Sequence, residues 1–163
     1  ATPAAPETAE DSCKHGDSLA ERFGAMRAID REFTPDEFLQ GARTAYEMVI
    51  AAFSKRDEET LKMLLSPDMF KSFALSLADA LKENRFTDTT LVAITRANVS
   101  SAKLVGSHAT IAVDFISDQI HLIRDEAGTI LEGDPSAQLK VEDGWVFTRN
   151  LSSASPNWTI IET

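Results

Sequence analysis

Apolar residues in the first half of the chain recur at helical spacing. Leu19, Phe23, Met26, Ile29 and Phe33 lie four, three, three and four residues apart, which sets them along one stripe of a helix. Ser18 stands in the N-cap position, and Glu21 three residues on completes a capping box. The other face carries Arg22, Arg27 and Arg31 among Glu21 and Asp30. A second start signal, Thr34-Pro35-Asp36-Glu37, combines a capping threonine, a proline suited to the first turn and a capping-box glutamate. Behind it Phe38, Leu39, Ala42, Ala45, Tyr46, Val49, Ile50 and Phe53 predict a helix running to about Lys55. Asp57-Glu58-Glu59 leads into Leu61, Met63, Leu64 and Leu65, a short third helix with acids at its positive end. Ser66-Pro67-Asp68 opens a fourth, with Phe70, Phe73, Ala74, Leu77 and Leu81 on one face and an end near Asn84.

After Thr87 the period changes. Leu91 to Leu104 is rich in Val, Ile, Thr and Ala but alternates only weakly. Beyond a turn at Gly106-Ser107, Ala109, Ile111, Val113 and Phe115 alternate strictly with His108, Thr110, Ala112 and Asp114, the pattern of a half-buried antiparallel strand. Its continuation through Ile120, Leu122 and Arg124 makes it long enough to bend or bulge. Turns are predicted at Asp125–Gly128 and Gly133-Asp134-Pro135, a strand over Leu139, Val141, Trp145 and Phe147, a polar loop from Asn150 to Asn157, and a last strand at Trp158, Ile160 and Ile161. Helices first and strands last predict an α+β fold. The opening Ala-, Pro- and acid-rich stretch has no apolar period, so the expected organisation is a disordered tail over 1–17, an amphipathic helix over 18–33 and an α+β domain over 34–163.

Composition narrows the function. The net charge of −10, from 26 acids against 16 bases, argues against a general nucleic-acid binder. Cys13 is the one cysteine, so no internal disulfide forms and a reducing compartment is the simpler reading. No apolar run is long enough to span a bilayer. The chain begins at Ala1 without Met or a signal-peptide pattern, as an excised piece would, and an anchor upstream would lie outside it.

Candidate chemistry is sparse. Cys13 and His15 lack two further zinc ligands, and Cys13 has no structured partner to lower its pKa, so no metal site, cofactor or nucleophile is expected. Asp114, Asp118, His121 and Arg124 cluster along the long strand. If it ran unbroken, Asp114, Asp118 and Arg124 would share one face and His121 the other. Acid–base work over an apolar cavity is one reading, but both aspartates are out of step with Ile111, Val113 and Phe115, which favours a solvent face. Tyr46 lies within the apolar stripe of the second helix and needs a hydroxyl partner or a path to water.

An ordered set of residues carries a family resemblance. Phe33, the run from Phe38-Leu39-Gln40-Gly41-Ala42-Arg43-Thr44-Ala45-Tyr46 to Val49-Ile50, Ala52-Phe53, Asp57, Leu61 and Leu64-Leu65-Ser66 resemble the Tim44-like domain family. So do Thr90-Leu91-Val92-Ala93-Ile94, Val113-Asp114-Phe115, Glu132-Gly133-Asp134-Pro135, Trp145-Val146-Phe147 and Pro156-Asn157-Trp158, in that order. Asp143 sits two residues before Trp145 as the family commonly has it, while Asn150 replaces a more usual acid. The resemblance covers about 18–163. It implies helices packed on a curved antiparallel sheet in the cone shape of nuclear transport factors, with an apolar pocket whose lining would be Tyr46, Ile50, Phe53, Val113, Phe115 and Trp145.

The resemblance further implies an adaptor or scaffold at the periphery of an inner membrane, facing the bacterial cytoplasm or mitochondrial matrix. Its partners would be anionic lipid, or a membrane or chaperone protein, in protein translocation or membrane-protein assembly. The early helix would make that contact through Leu19, Arg22, Phe23, Met26, Arg27 and Ile29. Over 18–33, however, three arginines are matched by Glu21, Asp30 and Glu32, so electrostatic attraction to an anionic surface is weak. Docking of this stripe on its own domain or on a second copy is an equal alternative. A small apolar ligand, or hydrolase or isomerase chemistry, in the cavity of the sheet is the other reading.

Overall fold

The structure is a computed structural model and describes residues 19–163. The expected tail over 1–17, with Cys13 and His15, and the Ser18 cap lie outside the described residues.

Four helices precede the sheet: α1 over 19–29, α2 Pro35–Lys55, α3 Glu58–Leu64 and α4 Pro67–Lys82. The capping signals at Thr34 and Ser66 act as the sequence predicts, and Asp57, expected only as an acid at the start of its helix, is a cap as well. The side chains of Thr34, Asp57 and Ser66 accept from the backbone N–H of Glu37, Thr60 and Met69. Helix α1 stops at residue 29, short of the Phe33 expected from its stripe. The Asp30 carboxylate accepts from the N–H of Glu32 at 3.1 Å, and the Asp30 carbonyl accepts from that of Phe33 at 3.0 Å. This local turn competes with helix continuation and still delivers the Phe33 ring to the core.

The strands are β1 Phe86–Val105, β2 His108–Arg124, β3 Ile130–Glu132, β4 Leu139–Asn150 and β5 Thr159–Glu162. They form one antiparallel sheet in the order β1-β2-β4-β5, with β3 beside β2. Sequence periodicity does not reveal β3, which is three residues long and holds its place by pairing with the end of β2. β1 starts five residues before Leu91 and shifts register against β2 at Val92, Thr95 and Ser100. Each bulge adds one residue to β1 and bends it. At two of them the extra side chain closes the gap: the Thr95 hydroxyl donates to the Ile116 carbonyl at 3.1 Å, and that of Ser100 to the Ala112 carbonyl at 3.4 Å.

Helix α2 lays Phe38, Ala42, Tyr46, Val49 and Ala52 on the sheet face built by Ile111, Val113, Phe115, Trp145 and Phe147. These strand residues share one parity on β2 and on β4, as the alternation predicts. The fold class is thus the expected α+β, helices on an antiparallel sheet bent by bulges. Helix α1 belongs to the same core. Met26 is 0% exposed, and Phe33 lies 6.0 Å from the Phe23 ring and 6.2 Å from the Trp158 ring. Packing therefore runs without a break across the boundary expected near Phe33. Helix α4 is held more loosely. Phe73 meets Phe53 edge-on at 5.0 Å, yet no residue of α4 is fully buried.

Candidate functional site

The described residues form a polar cluster inside the core and a groove along the helices. The cluster centres on Tyr46. Its ring is 0% exposed and stacks on Phe115 at 4.3 Å, with Trp145 at 4.7 Å. The Tyr46 hydroxyl is 2.7 Å from Asp143 Oδ2, 2.9 Å from Ser117 Oγ and 3.0 Å from Gln119 Nε2. The carboxylate can only accept and the amide NH2 can only donate, so the directions follow. Tyr46 donates to Asp143. Gln119 Nε2 donates to both Tyr46 and Ser117, the second bond being 2.9 Å, and Ser117 donates to Tyr46. Gln119 Oε1 then accepts from His121 Nε2 at 2.5 Å, which sets the proton on that ring nitrogen. Burial first, with the Asp143 carboxylate adding to it, pushes the Tyr46 hydroxyl up to about 12.

The Tyr46 hydroxyl is fully satisfied within the core. A phenol oxygen has one proton and two lone pairs, and all three are engaged. The expected pocket-lining residues Tyr46, Val113, Phe115 and Trp145 fill the space between α2 and the sheet, each 5% exposed or less, while Ile50 and Phe53 are half-buried at its margin. The other candidate carboxylates lie elsewhere. Asp114 is exposed and Asp118 half-buried on the opposite face of β2, and Arg124 Nε donates to Asp88 at 2.8 Å. The strand itself is unbroken, the bulges being in β1, so His121 sits on the face away from both aspartates. Ser117, Gln119 and Asp143 are not predicted as partners of Tyr46, Asp143 entering the sequence analysis only through the family resemblance. Their signal was parity, since Ser117 and Gln119 continue the buried register of Ile111, Val113 and Phe115, and Asp143 precedes Trp145 on its face.

The groove runs between α1, α2, α3 and the 151–158 loop and has a volume of about 1210 Å³. Trp158 contributes aromatic surface over the buried Phe38 and Phe147, and Ile29, Met48 and Met63 bring exposed apolar side chains from three helices. Arg27 and Arg31 line it too, and neither forms an ion pair among the described residues. Of the expected contact residues, Arg27 and Ile29 border this groove. Met26 is buried, Leu19 and Phe23 pack against the core, and Arg22 donates to the carbonyl of Ala102. Asp30 and Arg149 pin the end of α1 to β4 by an ion pair of 2.7 Å. The hydrogen bond from Arg149 holds the Asp30 carboxyl below the usual carboxylate range, against a smaller opposing effect of burial.

Comparison with known proteins places this architecture. The chain is 27% identical over 138 residues to the mitochondrial import inner membrane translocase subunit TIM44-1 of Arabidopsis thaliana, covering 85% of this chain and 29% of the relative. It is 20% identical over 148 residues to the probable mitochondrial import inner membrane translocase subunit tin-44 of Caenorhabditis elegans, covering 88% of this chain and 35% of that one. The chain thus spans about a third of the length of the curated relatives it matches. Among solved structures, the intermembrane space region of the chloroplast protein ARC6 matches 80% of this chain and 95% of its own, with a TM-score of 0.49 and 14% identity. The family model for the Tim44-like domain matches residues 19–163, from the first described turn of α1 to the last residue, and the chain belongs to that family.

Proposed function

We propose that this domain is a peripheral adaptor at an inner membrane, on the matrix or bacterial cytoplasmic side, working in protein translocation or membrane-protein assembly. The observation that carries this reading is the groove shared by α1, α2 and α3, in a chain whose relatives are named as subunits of an inner-membrane translocase. Large apolar side chains exposed together on one surface suit contact with another molecule. Methionines such as Met48 and Met63 suit contact with surfaces of varied shape. Arg27 and Arg31 would meet lipid phosphates or acidic groups of a membrane or chaperone partner. Among the described residues no helix is long and apolar enough to cross a membrane.

Flotation with vesicles of phosphatidylcholine, with and without phosphatidylglycerol, tests the lipid arm. Removing residues 1–33 would take away the buried Met26, so surface variants are the better probe. Met48→Glu with Met63→Glu, and separately Arg27→Glu with Arg31→Glu, are expected to reduce flotation. A photocrosslinker at position 48 tests the protein arm in cells. Wild-type flotation unchanged in both variants, together with no crosslinked membrane or chaperone protein, would remove the groove as the contact surface.

A further inference from the structure

The outer edge of β1 is closed at two points by side chains from the helices. Ser54 of α2 bridges Thr89, its Oγ accepting from the Thr89 N–H at 2.8 Å and donating to the Thr89 carbonyl at 3.0 Å. Arg22 of α1 donates to the carbonyl of Ala102. These contacts reveal which residues turn their backbone groups outward. Thr89 and Ala102 stand opposite His121 and Ile111 of β2, and Leu91, Ile94, Ala97 and Val99 stand opposite Gln119, Ser117, Phe115 and Val113. All six partners have the same parity on β2, so all six β1 residues direct N–H and C=O away from it. Between these caps, Leu91, Ile94, Ala97 and Val99 take no hydrogen bond on this outer edge among the described residues.

Beside the first part of that opening lies a groove of about 390 Å³, bordered by Ile50 and Ala51 of α2 and by Leu91 and Ile94 of β1. Among the described residues Glu47 is the one charged residue on its lining. It forms no ion pair among the described residues, not even with Arg43 one helical turn earlier. We infer that this groove is an interaction surface for a short extended peptide that carries a basic side chain between small apolar ones. Its backbone would bond to the outward groups of Leu91, its apolar side chains would cover Ile50 and Ile94, and its ammonium or guanidinium would meet Glu47.

Charge complementarity selects this occupant. Among the described residues the groove presents a single carboxylate, and the chain as a whole carries −10. A second copy of the chain fits poorly on both counts. It is equally acidic, and the bulges at Val92 and Thr95 space the outward residues Leu91, Ile94 and Ala97 three apart, which breaks the repeated pairing that two full strands need but not the bonding of a short segment at Leu91 alone. The same bulges limit the docked segment to a few residues.

The test is fluorescence polarisation of the intact chain with a labelled, end-capped Val-Lys-Val-Lys-Val peptide, followed by amide shift mapping. The expected result is saturable binding with shifts at Leu91, Ile94 and Glu47. It should weaken at least fivefold in Glu47→Gln, which sits on an exposed helix surface and should fold normally. It should weaken similarly with an N-methylated peptide that has lost its backbone donors, and a Val-Glu-Val-Glu-Val peptide should not bind. Leu91→Pro removes the outward N–H without removing a ladder bond and should act like N-methylation. The inference is overturned by no binding, by equal affinity for Glu47→Gln, by full retention with the N-methylated peptide, or by shifts confined to the groove between α1, α2 and α3.

Discussion

At the scale of single residues the buried hydroxyl of Tyr46 is the most constrained group in the core. Replacing it by Phe leaves Ser117, Gln119 and Asp143 short of a partner. We expect Tyr46→Phe to cost about 1–3 kcal/mol, the penalty for stranding a buried polar group, as read by urea unfolding. The raised Tyr46 pKa gives a pH dependence of definite sign. Its folded value of about 12 exceeds the ordinary value of 10.0, so its contribution is complete below pH 10 and is lost as pH climbs from there through about 12. Alkaline unfolding in that window should be weaker in Tyr46→Phe. Gly133 carries a second prediction. Its φ is +98, and an added Cβ would lie 2.3 Å from the His121 carbonyl oxygen. Gly133→Ala should therefore lower the melting temperature and detach β3 from β2, seen as faster amide exchange over 130–132. The sequence marks Tyr46 as a hydroxyl in need of a partner, but its partners lie 71 to 97 residues away. Periodicity along one segment carries no information about such pairs.

At the scale of elements, legibility follows regularity. Helix α2 was readable because cap, proline and stripe agree. β1 looked ambiguous because its three bulges reset the two-residue period, which is the physical source of the weak alternation over Leu91–Leu104. The stripe of α1 was visible, but its docking surface was not, since a stripe records burial and not the partner that provides it. The structure supplies that partner, and two measurements check it. Met26→Ala should cost about 2–5 kcal/mol, as for other buried methionines. Asp30→Asn breaks the ion pair with Arg149 and should speed exchange of the α1 amides roughly tenfold, about 1.4 kcal/mol. Because the folded Asp30 pKa is lowered, its contribution is present above the ordinary carboxylate range and is lost as pH falls through the folded value. Mild acid should therefore loosen α1 in the wild type and have less effect in Asp30→Asn.

At the scale of the whole molecule, the shared core of α1, α2 and the sheet predicts one cooperative transition. Trp158 packs against Phe33 and Phe38 at 6.2 and 4.8 Å, so its fluorescence reports the junction of α1 and α2. Urea curves followed by fluorescence and by exchange of the α1 amides should coincide. An earlier α1 transition would mean that the helix is a separate unit after all. Fold class was legible because helical and alternating periods occupy separate halves of the chain. The groove was not, because it is assembled from α1, α2, α3 and the 151–158 loop, which meet only after folding.

The bulges have a consequence in arc length. β1 contains 20 residues and β2 contains 17, yet the two strands pair from end to end, Phe86 with Arg124 and Val105 with His108. Two bonded ribbons of unequal length must curl, as a bimetallic strip does when one layer expands more than the other, with the longer ribbon on the outside. The surplus of three residues is thus a built-in measure of curvature. Deleting Val92, which carries no hydroxyl hook, should leave both ends of the pairing in place and flatten the sheet. The space that α2 occupies would narrow, and the strain would appear at Tyr46 and Val49, far from the deletion in sequence.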